Sequence, residues 1–201
     1  SDKPRRVVLL CSKQEHCLYD LLARQVSQDF RFVVPCVISN HEDHRKVVEA
    51  HGIPFHFIPV SKENKKDAYR QMEAIFIKEK ADLIVLARYM QVLDADLCHK
   101  FAGRIINIHH SFLPSFAGAK PYHQAHEKGV KLIGATCHFV TAELDEGPIV
   151  EQDVIRVDHS ESPEDMAHLG KDIEKIVLAR GLRAVVEDRV LLARHKTVVF
   201  R

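Results

Sequence analysis

The sequence lacks any long apolar run. A membrane helix needs roughly 18 or more consecutive apolar residues, and the longest runs here are Val7–Cys11 and Leu83–Ala87. The opening Ser-Asp-Lys-Pro-Arg-Arg has no apolar stretch of the signal-peptide kind. An excess of charge of one sign is missing too. Lys and Arg total 29, Asp and Glu total 28, and the net charge is +1. That balance gives no electrostatic ground for a nucleic-acid or anionic-membrane partner. The five cysteines (Cys11, Cys17, Cys36, Cys98, Cys137) are odd in number and irregular in spacing, with no Cys-x-x-Cys. This argues against a disulfide framework or a zinc knuckle and fits a reducing cytoplasm. Glycine is absent until Gly52. Neither G-x-G-x-x-G nor G-x-x-x-x-G-K-[ST] occurs, so no cradle for a dinucleotide or nucleoside triphosphate is expected. Internal repeats, low-complexity tracts and Pro/Gly-rich linkers are absent as well.

What remains is an ordinary soluble composition. The chain has 201 residues, 46% hydrophobic and 28% charged, which suits one globular domain over residues 1–201. Short apolar runs alternate with amphipathic stretches. Strands are predicted at Arg6–Cys11, Phe32–Ile38, Pro54–Ile58, Leu83–Ala87 and Arg104–Ile108. Pro35 inside the second removes a ladder donor and suggests an edge or a bulge. Helices are predicted at Cys17–Phe30, from an Asn40 cap to Gly52, at Asn64–Lys80 and at Asp94–Lys100. Such alternation implies an α/β fold, a mostly parallel sheet with helices on both faces. Past residue 109 the pattern changes. A loop at Ser111–Lys120 leads to a short helix ending at Gly129, then strands near Leu132–Val140 and Ile149–Val157. Ser162-Pro163-Glu164-Asp165 is a strong start for a long helix. Lys196–Arg201 reads as a last strand.

In an open α/β sheet, ligands bind beyond the carboxyl ends of the strands. Three segments follow such ends. Arg88–Leu93 is an amphipathic loop able to line a planar, partly apolar ligand, or simply a connector. In the segment 107–114, alternation of side chains would put Asn107, His109 and Ser111 on one face and His110 away from them. An amide donor beside an imidazole suits a reacting carbonyl, which needs an oxyanion donor and a proton carrier. An Asn-x-His pair is also a common structural feature. The third segment, Cys137–Pro148, ends in an acidic turn where Asp145 could orient a water or accept its proton, or only satisfy its own backbone.

Histidine is abundant, 14 residues in all. His109, His110, His123, His126 and His138 invite a metal reading, since neutral imidazoles suit zinc or iron. No H-E-x-x-H and no matching carboxylate spacing accompany them, so no metal is expected. Cys17 beside His16 could be an activated thiolate, but a buried, inert cysteine is the plainer reading.

Three long motifs carry a resemblance. Asn107–Phe116 (NIHHSFLPSF) and Gly134–Val140 (GATCHFV), with Leu144–Pro148 (LDEGP) close behind, resemble the signature of the folate-dependent formyltransferases. Ser12–Leu18, Gly118–Ala125, Asp172–Lys175 and Val177–Arg180 bring the likeness nearer to the hydrolytic branch of that superfamily, the formyltetrahydrofolate deformylases. It runs from about residue 5 to the end, with the motifs in the expected order. The resemblance implies a Rossmann-like formyltransferase fold that cleaves 10-formyltetrahydrofolate into formate and tetrahydrofolate, with no cofactor. It implies a catalytic set of Asn107, His109 and Asp145, with a protonated His109 beside the oxyanion and Asp145 holding His109 or the water and taking up a proton. Arg88, Tyr89, Met90, Gln91 and Leu93, with His138, Val140, Thr141 and Glu143, are the implied pterin-pocket residues. A small-molecule folate partner, a homo-oligomer and a cytoplasmic setting go with it. Members of this branch usually carry a regulatory ACT domain ahead of the catalytic one, whereas this chain starts almost at its first strand. Either that domain was removed or this version lacks amino-acid control. The alternatives are transfer of the formyl group to an amine such as glycinamide ribonucleotide, a non-catalytic folate-binding module, and a metallohydrolase.

Overall fold

The structure is a computed structural model describing residues 3–113 and 121–201. The expected loop at Ser111–Lys120 lies mostly outside the described residues.

The main sheet contains eight of the described strands, in the order β4-β3-β1-β5-β6-β7-β8, with β2 also paired to β1. These are β1 (Arg5–Cys11), β2 (Phe32–Val33), β3 (Val37–Ser39), β4 (Phe55–Phe57), β5 (Leu83–Leu86), β6 (Ile105–His109), β7 (Leu132–Phe139) and β8 (Ile149–Arg156). Pairing is parallel from β4 through β6 and antiparallel for β6–β7 and β7–β8. The expected architecture, a mostly parallel sheet, holds.

Each central strand is apolar on both faces, as a parallel strand covered on two sides must be. On one face Val7, Leu9 and Cys11 pack with Leu18, Leu21 and Leu22 of α1 (His16–Ser27) and with Ile173, Val177 and Leu178 of α6 (Pro163–Val186). On the other, Val8 and Leu10 meet Ala68, Tyr69, Met72 and Phe76 of α3 (Lys65–Lys78) and Leu97 and Cys98 of α4 (Ala95–Lys100). Each such side chain contributes about 1.5–3 kcal/mol by leaving water. The i, i+3, i+4 spacing of Leu18, Leu21 and Leu22 is the sequence pattern that makes α1 lie flat on the sheet. α6 starts as expected: Ser162 Oγ accepts from the Asp165 N–H at 3.1 Å, and the Asp165 carboxylate accepts from the Ser162 N–H at 3.0 Å.

Several expectations are corrected. Pro35 makes neither an edge nor a bulge. It splits the predicted strand into β2 and β3, and β3 sits inside the sheet between β4 and β1. Asn40 caps no helix, because its Oδ1 accepts from Ser12 Oγ at 2.6 Å; α2 (Arg45–Ala50) begins later, after His44. The terminal strand β10 (Lys196–Val199) has a partner that periodicity missed, β9 (Val190–Ala193), in an antiparallel hairpin. All five cysteines are buried as free thiols. Burial, and then the Glu174 charge, push the Cys17 thiol well above its ordinary range, so it is inert. Among the described residues no helix is long and apolar enough to cross a membrane.

Candidate active site

A cavity of about 240 Å³ opens beyond the carboxyl ends of β5 and β6. Three chain segments build it. After β5 the chain turns sharply at Arg88, whose φ of 62° is the left-handed conformation that costs a residue with a Cβ on the order of 1 kcal/mol. That turn swings residues 88–93 across the cavity. β6 delivers Asn107 and His109 from its last turn of pleat. The loop after β7 supplies residues 140–145 as the opposite wall. Arg88, Tyr89, Met90, Gln91 and Leu93 all line this cavity, as do His138, Val140, Thr141 and Glu143. The structure therefore brings every residue expected to bind or react onto one cavity.

The antiparallel register explains the polar constellation. Asn107 on β6 is the cross-strand partner of His138 on β7. His138 Nδ1 lies 2.9 Å from the Phe139 carbonyl and carries the proton there. Its Nε2 lies 3.3 Å from Asn107 Nδ2. Asp145 reaches in from the turn, with Oδ2 3.4 Å from His109 Nδ1 and Oδ1 3.6 Å from His138 Nε2. Its φ of 57° is again left-handed, a conformation aspartate tolerates well. The His138 contact, outweighing burial, holds the Asp145 carboxyl below its usual range. It is ionised at neutral pH.

Burial pulls His109 below its ordinary value, and the Asp145 charge offsets this only in part. The resting ring is therefore neutral, contrary to the expectation of a protonated His109. With Nδ1–H on Asp145, its Nε2 is left as a base. A carboxyl held low is placed to orient that imidazole, one of the roles expected for Asp145.

His110 does not point away from the site as strand alternation suggested. β6 ends at His109, so the alternation stops there. His110 also lines the cavity, and its ring stacks on that of His109 with centroids 4.9 Å apart and planes at 28°. Burial, reinforced by the Arg88 guanidinium, pushes it down to about 4. Arg88 NH1 donates to His110 Nδ1 at 2.9 Å. Sequence reading missed this pairing and missed Glu174, the buried carboxylate of α6 against which Arg88 Nε sits at 3.4 Å. Glu174 falls inside the Asp172–Lys175 motif, but nothing local gives it a partner at the site.

Among the described residues the one His/Cys/Asp/Glu cluster with metal-ligand spacing is His16, Cys17 and Glu174, not the histidines of the sequence reading. Its Glu174 is already hydrogen-bonded by His16 Nε2 at 2.7 Å and faces the Arg88 cation, so the donor set suits a metal poorly.

Residues 5–182 match the formyl transferase family. A formyltetrahydrofolate deformylase of Synechocystis is 49% identical over 200 residues, covering 100% of this chain and 70% of that protein. The crystal structure of a formyltetrahydrofolate deformylase from Pseudomonas syringae pv. tomato superimposes with a TM-score of 0.97 at 56% identity, covering 100% of this chain and 67% of that one. A glycinamide ribonucleotide transformylase from Symbiobacterium toebii follows the same fold with a TM-score of 0.92, at 26% identity and 100% and 96% coverage. With Asn107, His109 and Asp145 gathered on one cavity and its likeness running through both segments that carry them, the chain belongs to the formyl transferase family and groups there with the formyltetrahydrofolate deformylases.

Proposed function

We propose that this chain hydrolyses 10-formyltetrahydrofolate to formate and tetrahydrofolate, feeding one-carbon balance and purine biosynthesis. The observation that carries the reading is the Asp145–His109 pair beside Asn107 on the wall of the cavity. The names of its relatives agree with it. The same triad counts against a module that merely binds folate.

The pterin lies between residues 88–93 and 140–145, with Met90 and Leu144 as its exposed apolar rim. A water gives its proton to His109 Nε2 as its oxygen bonds to the formyl carbon. Asp145 stabilises the imidazolium that forms. Charge on the formyl oxygen is held by an N–H of the Asn107 amide on the cavity wall. The C–N10 bond then breaks, His109 returns the proton to N10, and the formic acid released ionises to formate. One catalytic domain, a homo-oligomeric state, a cytoplasmic setting and the lack of a nucleic-acid partner belong to the same reading.

Water rather than an amine is the acceptor because the turn after β1 is closed by side chains. Glu15 is tied to Lys171 at 3.2 Å and His16 to Glu174 at 2.7 Å. A phosphorylated amine would need open backbone amides and glycine there. Adding glycinamide ribonucleotide to the 10-formyltetrahydrofolate assay should leave formate as the product at an unchanged rate. Formylated amine in its place would make the chain a transferase.

The reading needs no metal. Activity should survive dialysis against a strong chelator, and loss restored by zinc or iron would put the metallohydrolase first.

A further inference from the structure

Behind the catalytic wall lies a buried ionic cluster that the reaction above does not use. Glu174, 2% exposed, sits in the middle of α6. Its Oε2 accepts from His16 Nε2 at 2.7 Å and faces Arg88 Nε at 3.4 Å, and its Oε1 accepts from the Tyr122 hydroxyl at 3.3 Å. Four separate elements thus converge on one carboxylate: the start of α1, the turn after β5, α5 (Pro121–Glu127) and α6. Gly170 is part of the device, because a Cβ there would overlap the Tyr122 hydroxyl. Burial alone would raise Glu174, but the His16 hydrogen bond and the Arg88 cation reverse this and keep it ionised.

The cluster touches the active site through one group. The Arg88 guanidinium has only donors, so His110 Nδ1, 2.9 Å from NH1, must be an acceptor. That fixes the neutral ring with its proton on Nε2, and the same ring is stacked on His109. The left-handed backbone at Arg88 is the strained feature that sends the residue between the cavity and Glu174.

We propose that Glu174 and Arg88 are positioning residues for this reaction: Glu174 anchors the guanidinium, Arg88 sets the tautomer and plane of His110, and His110 holds the His109 ring in register with Asp145. The proposal rests on His109 being the base of the hydrolysis. Arg88, His109, Asp145 and Glu174 are the charged and titratable groups facing His110. Arginine suits the role because its planar fork spans Glu174 and His110 together, which a lysine ammonium cannot.

The experiment combines kinetics with nitrogen NMR of histidine. In the parent protein the His110 ring should show an unprotonated Nδ1 and a protonated Nε2, and should stay neutral to well below pH 6. Arg88→Lys and Glu174→Gln should lower kcat by about 10²-fold, as small misplacement of a reacting group does. In Glu174→Gln KM should stay within about threefold, since Glu174 does not line the cavity and ground-state binding is not removed. In Arg88→Lys, which withdraws the fixed donor from Nδ1, the His110 titration should move upward. His110→Phe keeps the stack and removes the Nδ1 acceptor, so adding Arg88→Lys to it should cost little more. A protonated Nδ1 in the parent, a kcat left intact, or fully additive losses in the double variant would each overturn the relay. The NMR arm needs no turnover and no variant. A parent protein with no hydrolysis but the expected tautomer would therefore sink the assigned reaction and not the relay.

Discussion

Replacing Asp145 by asparagine is expected to lower turnover by about 10²–10⁴-fold while leaving folate binding within several-fold. The carboxylate lies 3.4 Å from His109 Nδ1 and 3.6 Å from His138 Nε2, and it is only partly on the cavity surface. Its work is to keep the proton on Nδ1 of His109 and to balance the imidazolium as it forms. An amide offers an N–H where the carboxylate had only lone pairs, which favours the wrong tautomer and removes the base. In the proposed reading the pterin is held along residues 88–93 and 140–145, of which the substitution changes one side chain, so affinity should survive.

The pH profile gives the same variant a second readout. His109 works deprotonated, so activity is present above its pKa and lost as pH falls through it. Burial places that point below the ordinary 6.5. Asp145 stays ionised across this window, since its own pKa lies below 3.8. The acid limb of kcat should therefore have its midpoint under 6.5. In Asp145→Asn the charge that supports His109 is gone, and the residual activity should titrate at still lower pH. Comparing turnover, a binding titration and the two pH profiles tests this. An unimpaired rate would remove Asp145 from the mechanism, and an acid midpoint above 6.5 would remove a resting neutral His109.

Much of this arrangement was legible in the amino-acid order. Val7–Cys11 and Leu83–Ala87 are apolar at every position, as strands covered on both faces must be, and the helices between them show 3.6-residue periodicity. The positions of the site segments followed from the rule that ligands sit beyond strand ends. Failures came where the deciding partner is distant in sequence. Asn40 has the look of a helix cap, but Ser12, 28 residues away, takes its side chain. Arg88 lines the pocket as read, and its guanidinium also faces Glu174 on another layer, a contact no local pattern shows. Alternation put His110 on the wrong side because β6 ends one residue earlier. The charge state of His109 was misjudged for a related reason: burial is a property of the assembled cavity, and no local pattern encodes it.

Gly147→Ala should be as damaging as loss of a catalytic group, although Gly147 touches no substrate in the proposed reaction. A Cβ at this position would overlap the backbone carbonyl oxygen of Phe139 and come within 2.8 Å of its carbon and 3.4 Å of His138 Nδ1. Neither neighbour is the free end of a flexible side chain. The Phe139 carbonyl accepts from His138 Nδ1 at 2.9 Å, and the Phe139 N–H is closed onto the Pro148 carbonyl at 2.9 Å. The turn that carries Asp145 is therefore pressed against the end of β7 with no room for a methyl group. To admit one, the turn must lift. His138 then loses the acceptor that fixes its ring, Asn107 loses its partner, and Asp145 moves away from His109. Forced overpacking of this kind costs about 1–3 kcal/mol of stability. A displacement near 1 Å at reacting groups costs roughly 10²-fold in rate. A denaturant melt and kcat measured on the same preparation give both numbers. Both should fall together, with kcat lost even at temperatures where the variant is fully folded. A variant that melts and turns over like the parent would mean that the turn is not held against Phe139 and that the tight Asp145–His138–Asn107 geometry is not required.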